Sequence, residues 1–306
     1  MARRKNKGRA INGVLLLDKP IGFTSNAVLQ KAKRLFNANK AGHTGSLDPI
    51  ASGLLPICFG EATKFSTFLL DSDKRYIVVC RLGEVTNTGD SEGEVIRTMD
   101  VPELSQSLIH AVLKSFLGEQ TQIPPMHSAL KVNGQPLYKL AHQGKEIERQ
   151  PRDICIHELK LLSFSQQTLE LEVHCSKGTY IRTLVEDIAK ALNTGAHVIS
   201  LRRISVGNFD LKNSVTLEKL EETLAESGIT GVDEKLLPME TAISQWPELN
   251  LSQDAAFYLC QGQPVLVPKA PTEGWVRLYQ AEGEFIGIGC IQDDGRVAPK
   301  RMVKVA

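Results

Sequence analysis

The sequence predicts a mixed α and β chain folded as about two domains, and three observations predict it. Its length of 306 residues is about twice that of a typical domain. Its 42% apolar content is ordinary for a chain with a sizeable buried core. Runs rich in β-branched residues alternate along it with runs whose apolar residues recur at helical spacing. No uncharged run approaches the ~20 residues of a membrane helix, and no signal-peptide pattern follows the basic N-terminus, so a cytoplasmic location is expected. The six cysteines are scattered without a Cys-x-x-Cys pair, which argues against a disulfide framework or a zinc ribbon.

The chain opens with a polar arm, Met1–Arg9, and then a short apolar strand, Gly13–Leu17, that stops at Asp18-Lys19-Pro20. Lys19 stands either to reach a phosphate or as a surface lysine beside a turn. Ser25 and Asn26 are the expected N-caps of a helix over Ala27–Phe36, with Val28, Ala32 and Leu35 or Phe36 on its apolar face. The stretch on which the rest is organised follows: Ala41–Pro49, AGHTGSLDP. Gly42 and Gly45 release the backbone to turn, and Pro49 drives Asp48 out of the α region. A carboxylate is thus held in a stiff bend beside the His43 imidazole and the Thr44 hydroxyl. Ordinary loop punctuation is the plainer reading. The flanks favour a site, since a basic amphipathic stretch, Gln30–Lys40, precedes the loop and an uncharged run that reads as buried, Ile50–Gly60, follows it.

A helix is expected over Glu61–Leu70 and a strand over Asp73–Arg81, in KRYIVVCRL, where β-branched residues dominate. Tyr76 in that strand is either structural or a ring for stacking on an unpaired base. Glu84–Gly93 reads as a loop and Leu104–Leu117 as a helix. Residues 122–152 read as an excursion from the core, with four prolines, two glycines, Tyr138 and the cations Lys131, Lys139, Lys145, Arg149 and Arg152. Turns, an aromatic and positive charge together fit a mobile RNA-gripping insertion, as well as a solubilising surface loop.

Charge supports a polyanionic partner. The formal net charge of +1 hides ten Lys/Arg against one acid in residues 1–40, and three lysines against eight acids in residues 211–250. A basic front end attracts nucleic acid, and counterion release adds to affinity.

A second dense patch spans Leu169–Arg203. LELEVHC alternates as a half-buried strand, a turn at Gly178 leads into an amphipathic helix, and AHVISLRRISVGNF returns as loop and strand. Arg182, in an apolar context after that turn, needs a carboxylate if it is buried. Asp48 suits, and an ion pair with it would keep the acid ionised; Glu186 and Asp187 are local alternatives by helical spacing. Leu249–Ala306 carries strand-like runs around Val276–Leu278 and Phe285–Ile288.

GVLLLDKPIGFTS, AGHTGSLDP with its continuation to GEATKF, the strand KRY, SKGTYIRTLVEDI and GAHVISLRRI, in this order, closely resemble the bacterial tRNA pseudouridine-55 synthase family of TruB type. The resemblance covers nearly the whole chain. It implies an α+β fold: a catalytic domain over residues 10–248 built on a central, mostly antiparallel sheet, then a small PUA-like, RNA-binding β-barrel over 249–306. It implies isomerisation of one T-loop uridine of tRNA after the base is flipped out, by a monomer that needs no cofactor, catalytic metal or protein partner. Asp48 matches the family's catalytic aspartate and Arg182 the basic residue paired with it. Tyr76 matches the ring packed on the target base, Tyr180 and Leu201 further pocket residues, and His43 the residue that helps hold the loop open. Lys19 and Lys64 match lysines near the site.

The implied chemistry asks for these residue types. The uracil must leave C1′, rotate, and rejoin through C5. A carboxylate serves as nucleophile at C1′ or C6, or as base at the ribose. Extruding the base costs a few kcal/mol of stacking, which apolar and aromatic surfaces recover. Tyr76 becomes a candidate acceptor of the C5 proton if the site offsets its high phenol pKa. A non-catalytic tRNA-binding or folding protein of the same fold is the alternative; it would need the basic surfaces but not Asp48.

Overall fold

The structure, a computed structural model, describes residues 8–132, 134–141, 143–280 and 283–304, so most of the basic arm lies outside the described residues. β1 (Gly13–Lys19) runs two residues past the expected end because Asp18 and Lys19 go on pairing with Leu54 and Gly53. The cap of α1 (Ser25–Leu35) is Thr24, whose hydroxyl accepts from the Ala27 N–H; the expected cap Ser25 is turned inward instead. β2 (Ala41–His43) is short and β3 (Ala51–Phe59) is buried at every residue. The expected helix over Glu61–Leu70 is broken into a 3₁₀ turn, Gly60–Lys64, and α2 (Ser66–Leu70), with Phe65 as the joint.

β4 (Lys74–Leu82) is the expected strand, shifted one residue toward the C-terminus at each end. β5 (Glu84–Thr86) and β6 (Val95–Thr98) pair as a hairpin, so the loop expected over Glu84–Gly93 is shortened to its tip. α3 (Gln106–Ser115) and β7 (Gly118–Gln122) follow. The excursion holds a small hairpin, β8 (Lys131–Val132) with β9 (Gln135–Pro136), and α4 (Leu137–Ala141). It leaves and rejoins the sheet at facing residues, Gln122 opposite Arg152, where β10 (Arg152–Phe164) begins. β11 (Thr168–Cys175), α5 (Ile181–Ala191), β12 (Ala196–Val206), β13 (Phe209–Asp210) and α6 (Leu217–Asp233) complete this part.

The sheet runs β1-β3-β12-β4-β11-β10-β7, with β2 beside β3 and β13 beside β12. Every pairing in it is antiparallel except β3 with β12. One face is covered by α3 and α5 through Ile109, Leu113, Leu184, Val185 and Ile188, and α1 and α6 close over β1 and β3 through Val28, Ala32, Leu220 and Val232. Burial of these side chains, at roughly 25 cal/mol per Å² of apolar surface, is the main favourable term. Placing β12 between β3 and β4 sets the site: Leu201 faces Ala51 on one neighbour and Val78 on the other, and Arg203 faces Gly53 and Tyr76.

The C-terminal part is a small β unit, as expected: β14 (Glu248–Asn250), α7 (Gln253–Cys260), β15 (Trp275–Gln280), β16 (Glu284–Ile291) and β17 (Val297–Met302), with the strands ordered β14-β15-β16-β17. It packs on the first part through one apolar cluster. Phe65 meets Phe285 edge-on at 5.6 Å, and Phe68 lies against Trp246 and Trp275.

Candidate active site

The loop carrying Asp48 is pinned at both ends. Thr44, buried, donates its hydroxyl to the Pro56 carbonyl, so it braces the loop and offers no nucleophile. Ser25 Oγ accepts from the Leu47 N–H at 2.7 Å and donates to the Leu47 carbonyl at 3.0 Å. Asp48 then opens a tight turn closed by the Ala51 N–H on its carbonyl at 3.0 Å, with Pro49 in the position whose φ proline already holds. Gly45 has φ +106°, a value that L side chains avoid, whereas Gly42 sits extended in β2 and its freedom is not used for a turn.

Arg182 enters from the first turn of α5, whose cap residue Tyr180 is clamped by Gln122: the Tyr180 N–H donates to Gln122 Oε1 and Gln122 Nε2 donates to the Tyr180 carbonyl. The guanidinium is buried. Nη2 lies 2.9 Å from Asp48 Oδ2, and Nη1 lies 3.4 Å from Asp90 Oδ2. It also donates to the Thr88 and His127 carbonyls. Asp187 pairs with Lys190 instead, and neither it nor Glu186 is an ion-pair partner of Arg182.

Burial raises the Asp48 carboxyl above the ordinary carboxylate range, the nearby Asp90 charge adds to this, and Arg182 with Lys19 opposes it. Arg182 thus opposes the upward shift as expected of an ion pair, while desolvation acts against it. Lys19 is fully buried, not a surface lysine. Its ammonium donates to the Ala51 and Pro20 carbonyls and is pushed down to about 8 by burial.

Two cavities meet at Asp48, Arg182 and residues 127–129. One, of about 580 Å³, is lined by Thr24, His43, Asp90 and Glu92; the other, of about 360 Å³, by Tyr76, Tyr180, Leu201, Lys74 and Arg203. Asp48 is the one carboxylate lining the second cavity among the described residues. His43 has its imidazole pushed down by burial and by Arg203, and its Nδ1 is buried without a hydrogen bond. Burial also raises the Tyr76 and Tyr180 phenols. The Tyr76 phenol is thus shifted in the direction opposite to the one a proton acceptor there would need.

Lys64 is the exception among the sequence-predicted residues. It lies beyond the far end of β3, nine residues long and so roughly 25 Å from end to end. There it pairs with Glu61 at 2.5 Å and donates to the Met302 carbonyl, tying the first part to β17. Adjacency to Phe65 explains this, since the segment faces the C-terminal sheet. Asp90 and Arg203 were not singled out by sequence reasoning. Asp90 stands in an Asn-Thr-Gly-Asp run that reads as turn chemistry, and Arg203 sits in a double arginine whose two faces only strand register separates.

Among the described residues no cluster of His, Cys, Asp and Glu could hold a metal ion, and no helix is long and apolar enough to cross a membrane.

Comparison with known proteins agrees with this fold and assigns its class. Residues 33–181 match the N-terminal domain of TruB family pseudouridylate synthases, residues 182–244 the tRNA pseudouridylate synthase B C-terminal domain, and residues 247–303 the C-terminal domain of pseudouridine synthase II TruB. The backbone is similar to that in the crystal structure of a Cbf5-Nop10-Gar1 complex, with a TM-score of 0.73 at 26% identity, covering 95% of this chain and 84% of that one. The class is thus that of a pseudouridylate synthase. The chain is 54% identical to tRNA pseudouridine synthase B of Nitrosococcus oceani, over 98% of this chain and 97% of the relative, and 55% identical to that of Pseudomonas fluorescens strain Pf-5, over 99% of each. It belongs to the TruB family.

Proposed function

We propose that this protein converts the T-loop uridine at position 55 of tRNA to pseudouridine, with Asp48 as the reacting carboxylate. The observation that carries this reading is Asp48 held by Arg182 at 2.9 Å in the lining of a cavity that Tyr76 and Leu201 also line. The names of the relatives, tRNA pseudouridine synthase B, support tRNA as substrate.

A flipped uridine enters the cavity between Tyr76 and Leu201, which replace part of its lost stacking. Asp48 then attacks C1′ or ring C6, or takes a proton from the ribose. On each route the C1′–N1 bond breaks with its electron pair moving to the ring, the ring turns, and C5 bonds to C1′ as the Asp48–carbon bond breaks or the ribose proton is returned. Loss of the C5 proton and gain of a proton at N1 then complete the isomerisation, and Asp48, free again, is the carboxylate at hand to accept the C5 proton. Tyr180 bounds the cavity and His43 fills space beside the loop; Lys19 holds positive charge near Asp48. Residues 10–248 form the catalytic domain, residues 122–152 grip the RNA, and residues 249–306 add an RNA-binding unit.

Mapping pseudouridine by position after incubating the purified protein with unmodified tRNA tests this. Pseudouridine is expected at the T-loop uridine alone, with no free uracil, and Asp48→Asn is expected to bind tRNA yet form none. Product elsewhere overturns the substrate, and an active Asp48→Asn protein overturns the mechanism.

A further inference from the structure

The face of the sheet turned away from α3 and α5 carries a thiol that the chemistry above does not use. Ile154 and Ile156 of β10 enter the core under those helices, and Cys155 between them points the other way, half-buried. Its backbone is held on both sides by Ser176: the Cys155 N–H donates to Ser176 Oγ and the Cys155 carbonyl accepts from the Ser176 N–H, each at 2.8 Å. Cys155 Sγ lies 3.6 Å from Nδ1 of His157. Nε2 of the same ring lies 3.2 Å from Oδ2 of Asp73, the residue before β4. His157 stands at a break in the ladder: Ile156 faces Cys175 and Glu158 faces His174, so His157 is the extra residue of a β-bulge. A bulge gives up a pairing and re-aims a side chain. The His174 ring, 4.8 Å away between centroids, flanks the re-aimed imidazole. Among the described residues these groups do not form a metal site.

We propose that Cys155 is a modification site, a thiol that exchanges with small-molecule disulfides, with His157 as its proton acceptor and Asp73 as the group that orients His157. An ionised carboxylate only accepts hydrogen bonds, so its contact with Nε2 places the proton of the neutral imidazole there. The Nδ1 lone pair is then left facing Sγ. Nucleophile, base and orienting acid thus stand in the order that activates a thiol. In the exchange Nδ1 takes the S–H proton and the Cys155 sulfur attacks one sulfur of the disulfide, so that a new S–S bond forms as the old one breaks. The imidazolium gives its proton to the departing thiolate; the Cys155 sulfur is oxidised and the departing sulfur reduced. The other cysteines lack this setting. Cys58, Cys80 and Cys175 are buried, and burial pushes their thiols up to about 12, about 11 and about 12. Cys260 is exposed, yet among the described residues no side chain hydrogen-bonds its thiol. The inference is independent of the pseudouridine-forming reading.

The test incubates the full-length protein with oxidised glutathione at neutral pH and follows each glutathionylated cysteine over time by peptide mass spectrometry. Cys155 is expected to react at least about tenfold faster than Cys260, although Cys260 is the more exposed of the two. In His157→Gln that lead is expected to shrink to about threefold or less, because the proton acceptor is gone. In Asp73→Asn, which keeps the shape but not the charge of the orienting group, Cys155 is expected to slow by at least about threefold. Cys260 serves as the internal control and is expected to keep its own rate in both variants. Cys260 reacting as fast as Cys155 in the wild-type protein overturns the proposal, and so does a Cys155 rate that either folded variant leaves unchanged. Labelling of the buried Cys58, Cys80 and Cys175 would reveal an unfolded variant. Should His157→Gln unfold in this way, the wild-type ranking and Asp73→Asn still decide.

Discussion

At the scale of single residues, the site is a contest over the charge of Asp48. Desolvation and Asp90 push its pKa up while Arg182 and Lys19 pull it down, and the upward push prevails. A reaction that needs the ionised acid therefore loses rate as pH falls through a pKa above the ordinary aspartate value. Replacing Asp90 by Asn removes one upward push and leaves more of the Arg182 charge to Asp48, so the acid limb of the pH–rate profile is expected to move to lower pH. The plateau is expected to fall on the order of 10²-fold, because Arg182 loses one of the two carboxylates that orient it. A rate profile of Asp90→Asn checks both, and an acid limb that moves upward would contradict the balance described. The pairing of Asp48 with Arg182 was open to sequence reasoning because a buried arginine demands a carboxylate and Asp48 sits in a proline-fixed bend. Asp90 was not legible: its ion pair is seen only once the loop at 87–94 is bonded to β12 through Ser91 N–H to the Val198 carbonyl and Val198 N–H to the Gly89 carbonyl.

At the scale of elements, the site depends on the one parallel junction of the sheet, β3 beside β12. Gly53 makes it possible: its φ is +103°, and a Cβ there would run into the Arg203 backbone. Gly53→Ala is expected to destabilise the fold by about 3 kcal/mol or more, from strain and from the forced separation of the strands. Urea unfolding measures this, and a loss under about 1 kcal/mol would show that the junction yields easily. β4 and β11 were readable from sequence because one is rich in β-branched residues and the other alternates strictly. β10 was not, since its thirteen residues carry two register shifts that break the alternation and only Ile154 and Ile156 are buried in it. α6 was hidden as well: Gly228, at φ +65°, interrupts it, and its acids read as surface charge without a helical face. The excursion's composition was plain, yet no pattern in it showed that the His127 carbonyl would accept a hydrogen bond from the guanidinium that holds Asp48.

At the scale of the whole molecule, the two parts share a core. Val14, Leu54, Phe65 and Leu69 from the first part and Tyr279, Phe285 and Ile288 from the second belong to one apolar cluster, and Lys64 and Arg301 add polar ties across it. Both tryptophans of the sequence lie at this junction, Trp246 and Trp275 stacked with ring centroids 5.2 Å apart. Their fluorescence therefore reports the junction, whereas far-UV circular dichroism is weighted toward the larger sheet and its helices. A shared core makes separate unfolding costly, because either part alone would expose Phe65 or Phe285 to water, at roughly 1.5–3 kcal/mol for each side chain. The two signals are accordingly expected to change at the same urea concentration. Phe285→Ala, which opens a cavity against Phe65, is expected to lower that common midpoint by an amount equivalent to about 3–5 kcal/mol. If fluorescence changes well before the dichroism in the wild-type protein, the junction is a loose contact between independent units, and the C-terminal sheet contributes nothing to the stability of the part that carries Asp48.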